Sequence, residues 1–493
     1  MIKLVYPIII FSLLLFPFCK KGEEKRTVEL SKTKKVTESP TQKRTVDNFL
    51  VVTSPTGKLK GVVYRDSATK KYYVYMNGEE FGPYDERGGR IFGKDPFILV
   101  YNIIKGSKLT LFGRKKNYTL FIEGKRYELK NSLLPPPAIE VYDTGTYWFV
   151  HRVKNSVKFI INGKEIEYKI KGGVTTSNYA VAKDGTSWGF IASKFIKRKE
   201  WWAVINGKEY LHHRSTILPS NIVFSRDGSR WWWVIFNKNR LYLVENGKSS
   251  PITGLKTSSL SRSLTKLSLY VSDNGENKMV TIRQGDRTEL WVNGKSFGIY
   301  TTVEYIHNFD KFWGVVAFKG FSHKGEAFVI INGKIYGPYK NLYYFSASEN
   351  GKGWGFLYSK KDTKGRFVMI NGKELGPYKY VKGPVLSHDG SKSLYGIEIY
   401  NKDTVSFIFY LNEKEFIKEE FKGVKFITGY HINDMFFDRK GRAVVIFNTS
   451  DNAILYIDKK RIGEFPRFLN CKPSKDTIVC AYTKEGELIF KEF

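Results

Sequence analysis

Residues 341–378 read NLYYFSASENGKGWGFLYSKKDTKGRFVMINGKELGPY, four short apolar runs separated by two tight-turn signals and one basic loop. The turn signals are ENG at 349–351 and NGK at 371–373, and the loop is SKKDTKGR at 359–366. Asn-Gly between apolar runs marks a hairpin, because a two-residue turn that matches strand twist needs both central residues at positive φ. The stretch is therefore one antiparallel unit: strand A, turn, strand B, basic loop, strand C, turn, strand D.

The same unit extends in both directions. The second turn recurs as MNGEE at 76–80, IEGKR at 122–126, INGKE at 161–165 and 205–209, ENGKS at 245–249, VNGKS at 292–296, INGKI at 331–335, INGKE at 370–374, LNEKE at 411–415 and IDKKR at 457–461. Successive members lie 39 to 47 residues apart, the period of a propeller blade. The first turn recurs between them as KDG at 183–185, RDG at 226–228, DNG at 273–275, ENG at 349–351, HDG at 388–390 and RKG at 439–441, with a looser DTG at 143–145. After it comes a strand rich in aromatics: SWGF at 187–190, RWWWVIF at 230–236, FWGVVAF at 312–318 and GWGFLY at 353–358. Counted this way, eleven units start from about Asn48, and the last ends after its strand C.

Strand B is apolar at consecutive positions, as in Trp231 to Phe236 and Ala443 to Phe447. A sheet with one wet face would alternate apolar and polar residues. Both faces are therefore buried, as when twisted four-stranded blades pack face to face around an axis. A buried Trp removes about 150 to 250 Å² from water, roughly 4 to 6 kcal/mol at most, so its repeated slot is a packing slot.

These repeats resemble the WD40-like and TolB-like propeller repeats of bacterial envelope proteins over about residues 48–493. The Asp-Gly turn before strand B and the NGKxxGPY run at 332–339 and 371–378 carry the resemblance. It implies an all-β fold of tandem four-stranded antiparallel blades and says little about activity. Eleven units exceed the four to eight blades of an ordinary ring. The expectation is two rings, 47–255 and 256–493, with the Ser-rich stretch from Ser249 to Ser263 as junction, and one large ring as the alternative.

The N-terminus has a different character. Lys3 precedes an apolar run from Leu4 to Phe18 that ends at Cys19 and is followed by Lys20 and Lys21. The run is short for a bilayer span and has the length of a secretory signal. An apolar run closing on a cysteine resembles a bacterial lipoprotein signal, which implies lipid attachment at Cys19, although Phe16, Pro17 and Phe18 depart from that family's usual residues. An uncleaved N-terminal anchor is the second reading, and a cytoplasmic protein with a buried first strand the third. Residues 20–46 are rich in Lys, Glu, Thr and Ser and read as a flexible tether. This places the protein in the cell envelope, lipid-anchored to a membrane and periplasmic or surface-exposed.

The chain carries 81 Lys and Arg against 48 Asp and Glu, a formal charge of +33. Such a field attracts polyanions; export disfavours nucleic acid and leaves an acidic glycan, an anionic lipid or a protein as partner. Besides Cys19, the chain has only Cys471 and Cys480. With a four-residue loop at Ser474 to Thr477 these two face each other across the last hairpin, so a disulfide is feasible in an oxidising compartment, and two small buried hydrophobes are the alternative.

In each unit the two tight turns share one rim, and the B–C and D–A loops share the other. Several B–C loops are basic: Arg114 to Lys116, Lys194 to Lys199, Lys238 to Arg240 and Lys360 to Arg366. The candidate ligand-binding residues are Lys194, Lys197, Arg198, Lys199, Trp201, Trp202, Lys360, Lys361, Lys364 and Arg366, lysines beside aromatics that combine charge with stacking. Solvated hairpin tips are the plainer reading of any single cluster.

Catalytic motifs are weak. Gly185-Thr186-Ser187-Trp188-Gly189 matches G-x-S-x-G, but that motif requires a strand-to-helix elbow and this one falls in a hairpin. His212 and His213 are adjacent and point to opposite faces of a strand, while the other histidines fall in different units. Neither a metal site nor a cofactor is implied. The sequence thus favours a lipid-anchored scaffold that binds a protein or an acidic polymer through basic loops, over an envelope hydrolase or lyase with a site in the propeller channel.

Overall fold

The computed structural model describes residues 46–493 apart from short stretches, the longest being 54–59, 85–90, 103–108, 133–138, 253–263, 320–324 and 424–430. Cys19, the segment 1–19 and all of the tether except Val46 lie outside the described residues. Every regular element among the described residues is a strand. These strands form ten four-stranded antiparallel sheets and a final three-stranded one, so the tandem-blade, all-β reading holds. The units occupy 46–84, 91–132, 139–169, 174–214, 223–251, 264–300, 302–339, 341–378, 380–422, 431–466 and 470–492, numbered 1 to 11 below. Unit 2 has an extra hairpin, Leu109–Thr110 with Gly113–Arg114, in its B–C connection.

The turn between strands C and D shows why the chain repeats Asn-Gly. Asn206, Asn246, Asn293, Asn332 and Asn371 have φ between 47° and 50°, each followed by a glycine at 82° to 91°. Each asparagine also ties down strand B. The Asn371 Oδ1 accepts the Trp354 N–H at 2.8 Å, and its own N–H donates to the Trp354 carbonyl at 3.0 Å. Asn206 holds Trp188, Asn246 holds Trp231, Asn332 holds Trp313, and Asp458 holds Ala443 in the same way. One side chain thus sets the turn and fixes the start of strand B, whose N–H would otherwise lack a partner.

The A–B turns have their own device, a buried serine two residues before the turn's Asp or Asn. The Ser387 Oγ donates to Asp389 at 2.6 Å and accepts the Lys392 N–H at 2.9 Å; Ser225, Ser272 and Ser348 repeat it. Successive turns also touch. A Cβ on Gly353 would stand 2.9 Å from the Gly390 carbonyl oxygen, so unit 8 needs glycine there for unit 9 to approach.

Consecutive apolar residues in strand B divide between the two neighbouring units. Trp231, Trp233 and Ile235 pack with Ile191, Ala203 and Ile205 of unit 4. Trp232, Val234 and Phe236 pack with Leu267, Leu269 and Trp291 of unit 6. This is the period-2 alternation of a strand buried on both faces. Further inter-unit cores follow in order from unit 3 to unit 11.

The packing runs across the junction expected between two rings. The core between units 5 and 6 bridges the proposed junction, with Ile252 against it. At the chain's end, Val479, Ala481 and Leu488 of unit 11 pack on Val51, Val62, Tyr64 and Tyr75 of unit 1. Lys60 pairs with Glu492 at 2.8 Å across the same joint. Units 1, 2 and 3 are in contact in sequence through their strands, so the eleven units form one closed circuit. The physical reason is that units 5 and 6, and units 11 and 1, present apolar faces that bury one another.

Candidate functional site

The loop rim of unit 8 carries an open groove of about 490 Å³. It is lined by the B–C loop Ser359 to Arg366, by Lys340, Asn341 and Tyr343 at the entry to unit 8, and by Lys379 at its exit. Hairpin geometry puts these parts together: the D–A connections and the B–C loop of one unit emerge on the same rim. Lys360, Lys361, Lys364 and Arg366, four of the residues singled out in the sequence, all line this groove.

Its charges fall into two groups. Lys360 is committed, since its ammonium lies 2.6 Å from Glu374 and over the Phe367 ring at 4.5 Å. Tyr358 also donates to Glu374. Burial opposes ionisation of Glu374, yet the hydrogen bonds from Lys360 and Tyr358 hold its carboxyl below the usual carboxylate range. Lys340, Lys361, Lys364 and Lys379 form no ion pair with any described residue, and the groove's single carboxylate is Asp362. Arg366 lies over the Tyr343 ring, 4.5 Å from its centroid, and Tyr343 remains 44% exposed. The Asn341 side-chain amide donates to the Ser359 Oγ at 3.1 Å. The result is an electropositive trough with an aromatic wall.

The second predicted cluster fares differently. Lys194 is exposed at the end of strand B of unit 4. Lys197, Arg198 and the side chain of Lys199 lie outside the described residues. Trp201 and Trp202 are buried, at 3% and 7% exposure, which corrects their reading as stacking residues beside a basic loop. Trp201 packs with unit 5 and donates its indole N–H to the Ser215 carbonyl at 2.9 Å, whereas Trp202 packs with unit 3 and stacks on His212.

Lys340, Lys379 and Tyr343 were not anticipated. The signal was present for the lysines: GPYK occurs at 337–340 and 376–379, placing a lysine directly after strand D in two successive units. Tyr343 carries no comparable mark, because strand A is full of aromatics.

Ser187 of the G-x-S-x-G string is buried and donates to the Gly228 carbonyl at 3.0 Å, a tie between neighbouring turns. His213 is buried beside Trp233, and desolvation lowers its imidazole to about 4. No cluster of His, Cys, Asp or Glu suited to a metal occurs among the described residues. Cys471 and Cys480 are cross-strand partners joined by a disulfide.

A second group of polar residues lies on strands A and B of unit 9, beside strand A of unit 10. Lys382 donates to the backbone carbonyls of Ile432 and Asn433, while Glu398 accepts the Ile432 N–H at 2.7 Å and the Tyr400 hydroxyl at 2.7 Å. Desolvation lowers the Lys382 amine from the usual lysine range against the opposing pull of Asp434 and Glu398. Lys382 is nonetheless exposed, and Tyr270 is likewise raised by desolvation although 37% exposed.

No protein-family profile matches the chain, and no curated protein sequence matches it. Solved structures similar to it include a prolyl endopeptidase, 12% identical with a TM-score of 0.31, where the match covers 66% of this chain and 54% of that one. The chain thus spans about half the length of that endopeptidase. A eukaryotic initiation factor is 13% identical with a TM-score of 0.38, over 76% of this chain and 88% of that one. An oligogalacturonate lyase in complex with manganese is 13% identical with a TM-score of 0.28, over 51% and 78%. Likeness at this level says nothing of activity.

Proposed function

We propose that the protein is an envelope scaffold, held to a membrane through lipid on Cys19, that captures an acidic polymer in the groove of unit 8. The observation that carries this reading is the set of four lysines, Lys340, Lys361, Lys364 and Lys379, gathered around one groove without a carboxylate partner among the described residues. An anionic chain laid there gains charge contacts without breaking any internal ion pair. The N-terminal apolar run ending at Cys19 supports the anchoring half of the reading.

The test compares two variants of equal net charge on the full chain. Lys361→Ala/Lys364→Ala removes two groove charges, and Lys295→Ala/Lys334→Ala removes two exposed charges beside the C–D turns on the opposite rim. Binding of dextran sulfate, titrated against salt, should weaken roughly tenfold in the first variant, the equivalent of about 1.4 kcal/mol, and hardly change in the second. Equal losses in both would mean that overall charge, not the groove, retains the polymer.

Catalysis in the channel is the second reading, favoured by Lys382. Its amine is lowered, open to water and close to Asp434, the setting of a general base. A hydrolytic or eliminative turnover that disappears in Lys382→Met, with groove binding intact, would support it.

A further inference from the structure

We infer that the polymer taken by this groove is a glycan bearing uronate carboxylates, an inference that rests on the groove being the binding surface. The lysines alone would suit any polyanion. Three other features of the lining narrow the choice.

First, Tyr343 offers exposed ring surface inside the groove while Arg366 lies over it. A sugar ring has an apolar C–H face that packs on an aromatic, whereas a chain of phosphates has none. Second, Arg366 presents a planar guanidinium, whose fork matches the two oxygens of a carboxylate as it does those of a phosphate, and so accepts a uronate. Third, the groove holds acceptors among its cations: the Asp362 carboxylate, the Asn341 side-chain carbonyl and the Thr363 hydroxyl. Polyphosphate carries no hydroxyl donor for them at neutral pH. A polymer of hydroxylated, carboxylated rings satisfies the cations, the acceptors and the ring together.

The experiment measures binding of an alginate oligomer, a polyphosphate of matched charge and a single-stranded DNA oligomer to the full chain at fixed salt. Alginate should bind most tightly. Tyr343→Ala should weaken alginate about tenfold and leave polyphosphate within twofold, and Tyr343→Phe, which keeps the ring, should bind alginate like the parent protein. If Tyr343→Ala affects alginate and polyphosphate alike, or neither, or if DNA displaces alginate, the uronate assignment is wrong. The underlying reading fails separately: in that case Lys361→Ala/Lys364→Ala leaves both alginate and polyphosphate binding unchanged.

Discussion

Asparagine 371 shows how much of this fold rests on single side chains. Its backbone sits at φ 48°, and its side chain and N–H both engage Trp354. Asn371→Ala would strain the left-handed conformation and strand the Trp354 N–H, a loss of about 2 to 3 kcal/mol. Asn371→Asp should cost less, because Asp458 fills the same slot in unit 10; urea unfolding of the two variants compares them. His213 makes a prediction in pH. Its imidazole titrates near 4 in the fold, below the ordinary 6.5, so the fold favours the neutral ring. That stability is fully present above pH 6.5 and is lost as pH falls toward 4, on the order of 3 kcal/mol. His213→Phe should flatten the decline in melting temperature over that window, and an unchanged slope would place the acid sensitivity elsewhere. The turn asparagines were legible because Asn-Gly has few other uses; their reach to strand B was not, since the two partners lie 15 to 19 residues apart. Trp201 and Trp202 misled because neighbouring charge suggested exposure, yet consecutive apolar residues in strand C obey the same two-sided burial as strand B.

At the scale of the element, unit 11 is the weak one, since it has three strands where every other unit has four. It must still cover both unit 10 and unit 1. The disulfide between Cys471 and Cys480 ties its first two strands across a loop whose ends Ser474 and Thr477 are hydrogen bonded at 2.8 Å. Closing a loop of this length removes about 2 to 3 kcal/mol of unfolded-state entropy. Reductant should therefore lower the urea midpoint of the parent protein and leave that of Cys471→Ala/Cys480→Ala unchanged, with free-thiol titration as the check on redox state. The basic loop of unit 8 was legible from its run of lysines, because B–C loops fall on one rim in any such hairpin array. The groove was less so: it also needs Lys340, Asn341 and Lys379 from the connections on either side, residues 20 or so positions away whose convergence depends on how the unit twists.

For the whole molecule, the question is where apolar faces end. From unit 3 round to unit 1 the described interfaces are apolar cores, so a cut at any of them exposes two core surfaces at once. Cutting near residue 255 would bare Trp232, Val234 and Phe236 on one fragment and Leu267, Leu269 and Trp291 on the other. The original ends would bare Val62, Tyr64 and Tyr75 opposite Val479, Ala481 and Leu488. Repeat counting could not settle this, because the number of units fixes neither blade tilt nor ring closure, and those depend on side-chain fit at every interface. The two arrangements predict different behaviour for fragments 47–255 and 256–493. Independent rings would each give a soluble, cooperatively unfolding monomer. The single circuit predicts that each fragment alone aggregates or binds a hydrophobic dye, and that mixing them during refolding restores a cooperative transition, since each supplies the two faces the other lacks. A cooperative monomer from either fragment alone would show that its ends close on themselves and that the joint between units 11 and 1 is dispensable.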